Sequence, residues 1–194
     1  RSRGLGDVYK RQSHIPVQRV EGEGEKVQVK VCGLMGGHSG AEIDKNRANA
    51  NKLMGRFLYG LKKKAEYALI SLTGGQKDNA ITRECTAEFL TDSVAEVKAY
   101  AKELQEQLRE EYTGSDENIT FEITEKGTAT AEVLHPTSQE KIVFYLQNVP
   151  FGIQKMSGTI KGLVETSSNI GILRLDRDEL FACLLYTSPS PRDR

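Results

Sequence analysis

The chain has 194 residues, of which 27 are basic and 27 acidic, so its formal net charge is zero. This balance argues against the basic surfaces by which proteins bind nucleic acids or anionic membranes. No apolar run approaches the roughly 20 residues that a membrane-spanning helix needs, and the length suits one domain or part of a larger one.

One piece of DNA accounts for both ends of the chain. Arg3–Gln12 back-translates to a string whose reverse complement, read in one frame, encodes Cys183–Arg192. The string resembles a transposase adapter used in sequencing libraries, and the ends of a natural chain have no reason to be reverse complements. We therefore expect residues 1–12 and 183–194 to be adapter-derived and exclude them from fold reasoning. The native part, 13–182, is then a fragment open at both ends, with 21 basic and 25 acidic residues.

The first predicted strand leads into a glycine-rich loop and a helix. Val27–Val31 alternates valine with polar residues, as in a half-buried strand. Residues 33–40 read GLMGGHSG, and four glycines there indicate backbone that approaches another group closely or takes positive φ. The next helix is expected from Asn46 and closes at Lys62–Lys64, a run typical of a solvated helix end. Its apolar face comprises Ala50, Leu53, Met54, Phe57, Leu58 and Leu61.

Two further strands and a second helix follow. Tyr67–Thr73 is predicted to be a strand, Gly74–Gly75 a turn, and Cys85–Phe89, by its alternation, a third strand. Ser93–Glu96 has the capping-box pattern that begins a helix, which we expect to end at about Tyr112. Its apolar face comprises Val94, Val97, Ala101, Leu104 and Leu108.

Ile119–Ile123 completes a β-α-β-β-α-β order, which is typical of the ferredoxin-like fold. In this α+β fold two helices cover one face of an antiparallel sheet. We divide the native part into residues 13–126 and a second part, 127–182. The second part is expected to contain a connector over 128–136, a capping box at Thr137–Glu140, a helix ending before Pro150, strands over 159–166, 169–175 and from Leu180, and a turn at Asp176–Asp178.

Cys32 and Cys85 both fall in predicted strands and show no metal-ligand spacing. Buried, reduced thiols in a cytosolic protein are the favoured interpretation, with a disulfide as the alternative. Cys183 lies in the predicted adapter.

His38, at the centre of the glycine loop, is the first candidate functional residue. It is either a histidine hydrogen-bonded within a tight turn or one that is presented to a substrate. Zinc binding by this chain is not expected, because a site needs three or four ligands and neither His14 nor His135 shows ligand spacing to His38. The Gly-Lys-Ser/Thr that completes a phosphate-binding loop is absent.

The GGHSG segment of residues 36–40, followed by the NANKL of 49–53, resembles the aminoacyl-histidine dipeptidases, which are carnosinase-related zinc metallopeptidases. The resemblance covers nearly all of residues 13–182. It implies that the chain is the lid, or dimerisation, domain of a homodimeric cytoplasmic enzyme that hydrolyses Xaa-His dipeptides. It also implies that His38 holds the oxyanion of the tetrahedral intermediate, and that zinc is held by a catalytic domain outside this fragment. The fragment alone is then expected to be inactive.

The resemblance extends to a second segment. Residues 79–84, NAITRE, match the family's Asn-Ala-Ile-Pro-Arg-Glu except for Thr82. Asn79 is therefore a candidate to contact the substrate, unless the segment is only a loop that enters a strand. Arg83 is a candidate to pair with a substrate carboxylate, or else a structural arginine at a strand end.

A third matching segment and one departure complete the comparison. Glu165–Asn169 is similar to the family's Glu-Thr-Ser-x-Asn, and either lines the substrate cleft or is only a bulge between strands. Asp44 stands where the family commonly has histidine. It is expected to cap the helix, and this chain is expected to lack any role that the family's histidine has.

The rival function is a freestanding ferredoxin-like module that binds a ligand or dimerises without catalysis, because this fold hosts many functions. For either function we expect no nucleic acid or membrane partner.

Overall fold

The computed structural model describes residues 7–188; the remaining residues of the predicted adapter ends, 1–6 and 189–194, lie outside this description. The strands are Asp7–Pro16 (β1), Arg19–Cys32 (β2), Gly37–His38 (β3), Tyr67–Gly74 (β4), Ala80–Ile81 (β5), Cys85–Thr91 (β6), Thr120–Leu134 (β7), Gly152–Met156 (β8), Val164–Leu175 (β9) and Glu179–Ser188 (β10). The α-helices are Ala50–Leu61 (α1), Val94–Glu111 (α2) and Pro136–Asn148 (α3), and Ile43–Lys45 is a single 3₁₀ turn.

The strands form one large antiparallel sheet in the order β1-β10-β9-β4-β6-β2-β7, with β8 pairing to β9. Its β4-β6-β2-β7 portion, together with α1 and α2, confirms the predicted β-α-β-β-α-β fold. β9, β10 and β1 extend the sheet on the β4 side. A separate two-stranded sheet joins β3 to β5.

The first helix buries the predicted apolar face, and all six of its residues are almost completely shielded from solvent. Phe57, with no exposed surface, lies 5.3 Å from the Phe121 ring and 5.6 Å from the Tyr100 ring. The helix begins at Ala50 and not at Asn46, because Asn46 has left-handed backbone (φ +50°). Asn49 caps the helix instead, since its side chain accepts hydrogen bonds from the next turn.

The second helix follows its prediction, and the third begins differently. Ser93 accepts a hydrogen bond from the Glu96 amide at 3.4 Å and caps α2. The predicted capping box at Thr137–Glu140 is wrong, because α3 already begins at Pro136 and His135 is its cap. Proline suits the first helical position, where its missing N–H leaves no hydrogen bond unmade.

Lys52 fixes the far end of α3 against α1. Its ammonium donates to the carbonyls of Leu146, Gln147 and Val149 at 2.6, 3.0 and 2.8 Å. Burial lowers the pKa of Lys52 to about 8. This lysine of the NANKL segment therefore acts as a helix C-cap rather than as a site residue.

The connector predicted over residues 128–136 is wrong over most of its length, because β7 continues to Leu134. It pairs with the first half of β2, from Arg19 opposite Leu134 to Glu25 opposite Thr128. This ribbon is largely exposed, so backbone pairing holds it without the apolar alternation that reveals a strand. The boundary predicted after residue 126 falls inside β7, and the division into two parts stays a prediction.

The strand predicted over 159–166 is wrong for residues 159–163, because β8 ends at Met156 and β9 runs without a break from Val164 to Leu175. Most of β8 is exposed, and its sequence therefore lacks the alternation of a half-buried strand. The turn predicted at Asp176–Asp178 joins β9 to β10 as expected.

The described residues of the predicted adapter segments pair with each other, Gln12 opposite Cys183 and Val8 opposite Thr187. Their origin in an adapter stays a prediction. Cys32 and Cys85 are buried free thiols, as expected. Burial raises the pKa of the Cys32 thiol to about 11. Within residues 7–188 no helix has the length and apolar character to cross a membrane.

Candidate functional site

The small β3–β5 sheet brings His38 and Asn79 together. His38 lies opposite Ala80 in its antiparallel register, and the Ser39 amide donates to the Asn79 carbonyl at 3.0 Å. The side chains of His38 and Asn79 are both exposed. Two of the three residues predicted from sequence to form the site are therefore neighbours on one surface.

The imidazole of His38 has a defined hydrogen-bonding state. Its Nδ1 accepts from the backbone amides of Gly40 and Ala41, at 3.1 and 3.2 Å. Because both partners are donors, Nδ1 is the unprotonated nitrogen and the ring hydrogen lies on Nε2. The loop therefore presents an N–H donor to solvent from a ring whose other edge is fixed.

Glu42 fixes the backbone of the same loop. Its Oε2 accepts from the His38 amide at 2.9 Å, while its Oε1 accepts from Lys45 at 2.9 Å and pairs with Arg47 at 3.0 Å. The hydrogen bond from the His38 amide, followed by that from Lys45, lowers the pKa of Glu42 to about 2. Arg47 also donates to the Gly36 carbonyl, so one ion pair clamps both sides of His38.

The two central glycines are required by what lies against them. Gly36 has a φ of +65°, and a Cβ there would overlap the Arg83 side chain, 2.8 Å from its Cδ. Gly37 has a φ of +146°, and a Cβ there would lie 2.5 Å from Glu42 Oε2. Residues with a side chain rarely adopt either backbone conformation, which explains the glycine pair before His38.

Arg83, the third predicted site residue, belongs to the support of this loop. Its Nε donates to the Leu34 carbonyl at 3.2 Å, and its stem lies against Gly36. This is the structural alternative considered from the sequence. A contact between Arg83 and substrate stays a prediction.

Asp116 ties down both ends of the loop segment, and the sequence did not single it out. Its side chain, 1% exposed, accepts from the Met35 amide at 2.6 Å and from the Ala48 amide at 2.7 Å. It lies in the turn after α2, where an aspartate is ordinarily read as solvent-exposed. Only the tertiary structure brings it under the loop.

A buried polar network connects α1, β5 and β9 behind the site. Asn49 and Asn51, at the start of α1, bond to Asn169 and Thr82 respectively. Thr82 also donates to the Ile170 carbonyl at 3.1 Å. Within the predicted Glu165–Asn169 segment, the last three residues are at most 4% exposed, so they do not line an open surface, and Asn169 joins this network.

Asp44 is exposed in the 3₁₀ turn and does not cap α1. It borders a cleft of about 320 Å³ that Arg47, Tyr112 and Ile153 also line. Over residues 7–188, no three or more His, Cys, Asp or Glu side chains form a group that could hold a metal ion. The site as described can donate hydrogen bonds to an anionic oxygen, through His38 Nε2–H and the Asn79 amide.

The chain is similar to known dipeptidases. Residues 29–116 match the peptidase dimerisation domain of the M20 type. Over 175 residues, 89% of this chain and 36% of the relative, it is 32% identical to the cytosol non-specific dipeptidase of Escherichia coli strain K12. The crystal structure of aminoacylhistidine dipeptidase from Vibrio alginolyticus matches 96% of this chain, over 40% of its own length, with a TM-score of 0.86 and 29% identity. The chain thus spans well under half of each relative.

Proposed function

Because the chain carries the dimerisation domain of an M20 dipeptidase, we propose that it serves as the lid of a metal-dependent enzyme that hydrolyses Xaa-His dipeptides. The substrate class follows the likeness in fold to the Vibrio aminoacylhistidine dipeptidase and the GGHSG loop. The relatives are more than twice as long as the matched region, and we assign the metal-binding part of the catalytic machinery to the part of the protein outside this chain.

His38 is the proposed catalytic residue of this chain. The two amides that donate to Nδ1 fix the tautomer of the imidazole ring, so that Nε2–H is the donor. This is the observation that carries the proposal. A donor fixed in advance stabilises negative charge that develops on the carbonyl oxygen without having to reorganise. Loss of one such donor typically costs about 3–4 kcal/mol of transition-state stabilisation.

Asn79 is proposed to contact the substrate beside His38, since its amide is exposed and its backbone is held against Ser39. Arg83 is proposed as a second substrate contact, through a guanidinium whose Nε is already engaged by Leu34. A dipeptide ending in a free carboxylate offers an acceptor for such groups.

The metal, the partner and the location complete the proposal. The described residues do not make a metal site, so we place zinc in the catalytic part, where it would act as a Lewis acid when bound. The dimerisation domain supports a homodimer. The relative from Escherichia coli is named a cytosolic enzyme, which supports a cytoplasmic location.

The test uses the intact protein. Its gene is found by sequencing the source DNA outward from the codons of residues 13 and 182, and the protein is then expressed from it. His38→Ala should lower kcat about 100-fold or more, with KM and metal content unchanged. His14→Ala, at an exposed histidine of the far strand β1, is the matched control and should leave kcat unchanged. Full activity of His38→Ala would remove the catalytic role and favour a dimerisation module. Hydrolysis of Xaa-His dipeptides by residues 13–182 alone would also contradict the proposal.

A further inference from the structure

The segment that holds Asn79 is seated on β9 rather than supported by its own strand. β5 is only two residues long, and Asp78 and Asn79 precede it in a turn. Gly171 of β9 lies directly under this turn, where a Cβ would be 2.7 Å from the Asp78 Cα. The close approach therefore needs glycine at 171, and it brings Asn169, two residues earlier on the same face of β9, against the same turn.

The Asn169 side chain binds the turn on both sides of Asn79. Its Nδ2 donates to the Ala80 carbonyl at 2.8 Å and to the Asp78 carbonyl at 3.4 Å. Its Oδ1 accepts from Asn49 Nδ2 at 3.1 Å, and Asn49 is the residue that caps α1. Asn169 is 1% exposed, so this amide has its partners inside the protein and is closed to a ligand.

The contact continues from the turn to His38 in one step. The Asn79 carbonyl accepts from Ser39, the residue after His38, and Ala80 lies opposite His38 in the register. Thr82 anchors the other side of β5, since its hydroxyl contacts the carbonyls of Ile170 and Gly171, both at 3.1 Å. β9 thus holds β5 at two points, and β5 holds the loop of His38.

We infer that Asn169 is a positioning residue, whose buried amide sets the place of His38 through the turn at residues 78–80. The catalytic meaning of this position rests on the proposed function, while the positioning itself does not. Asn169, the last residue of the Glu165–Asn169 segment, thereby acquires a role that is neither a cleft lining nor a simple bulge.

The experiment compares Asn169→Asp with Asn148→Asp in the present chain. Aspartate has nearly the shape of asparagine, but an ionised carboxylate cannot donate to the Ala80 and Asp78 carbonyls. The control makes the same change at an exposed asparagine, whose Nδ2 donates only within α3, to Phe144. The readout is hydrogen exchange at the Ser39 amide, read together with the ¹⁵N signals of the His38 ring.

In Asn169→Asp we expect exchange at Ser39 to accelerate by about tenfold or more, as when one buried hydrogen bond is lost. The His38 ring should also lose its single tautomer, while exchange of the Val29 amide, in strand β2 between β6 and β7, stays as in the parent chain. Asn169→Ala, which adds no charge, should give the same two changes if the aspartate variant does not fold.

Equal Ser39 exchange in a folded Asn169 variant and in Asn148→Asp would overturn the inference. Acceleration at Val29 to the same degree as at Ser39 would overturn it too, because the role would then be general stability. Ser39 and His38 responses as expected, with undiminished kcat for His38→Ala in the intact protein, would support the positioning and refute only the proposed function.

Discussion

Replacing Asp116 by asparagine tests whether one buried carboxylate fixes both ends of the His38 loop. Its two oxygens accept separate backbone amides, from Met35 before the glycine pair and from Ala48 after the 3₁₀ turn. Asparagine keeps one acceptor oxygen but places an NH₂ group against the other amide. One buried N–H is therefore left facing a donor.

The size of the effect follows from this geometry. A buried group left without its partner costs about 1–3 kcal/mol, and hydrogen bonds to a charged acceptor lie at the upper end. We therefore expect Asp116→Asn to lower the free energy of unfolding by about 2 kcal/mol. For a chain of this size the melting temperature should fall by about 4–8 °C.

Two measurements on the present chain check this expectation. Thermal unfolding followed by circular dichroism gives the change in melting temperature. Hydrogen exchange at Met35 and Ala48 then shows whether the loss is local to the loop ends. Asp44→Asn is the matched control, because it removes the same charge at an exposed position close to the loop. It should leave the melting temperature within about 1 °C of the parent.

Equal melting temperatures for Asp116→Asn and Asp44→Asn would refute the reasoning. So would a destabilised Asp116→Asn chain in which Met35 and Ala48 exchange no faster, relative to the core, than in the parent. The first result would mean that the two hydrogen bonds contribute nothing net to stability. The second would mean that Asp116 does not restrain the loop.

Two further predictions concern the same loop. Gly36→Ala should lower the free energy of unfolding, measured by urea titration, by about 1–3 kcal/mol, because it adds strain at φ +65° and displaces Arg83. The control Gly114→Ala, at φ +83° with no atom near its Cβ, should lower it by less. Equal costs would contradict the packing argument. Since the folded pKa of Glu42 is about 2 against 4.5, its stabilising contribution is complete above pH 4.5 and lost as the pH falls toward 2. The NMR shift of the His38 amide should follow that lower midpoint; a midpoint near 4.5 would contradict the clamp.

Local patterns predicted most elements of the ferredoxin-like part because its buried faces alternate regularly. The apolar faces of α1 and α2 and the strand at Val27–Val31 were read correctly, since each buries one side against the sheet. β8 and the β2–β7 ribbon were not found, because exposed strands leave no hydrophobic period. The predicted cap, Asp44, is wrong because the chain makes a separate 3₁₀ turn at Ile43–Lys45, and α1 begins only after Asn49.

The sequence by itself identified the loop, its glycines and His38, and placed Asn79 in the same family motif. It could not show that these residues meet, because the β3–β5 pairing joins segments separated by a helix and a strand. The tautomer of His38, the carboxylate of Asp116 and the amide of Asn169 are likewise set by contacts between distant segments. Periodicity and local motifs report which face of an element is buried. Only the folded chain decides which buried polar groups satisfy one another, because each must find its partner once water is excluded.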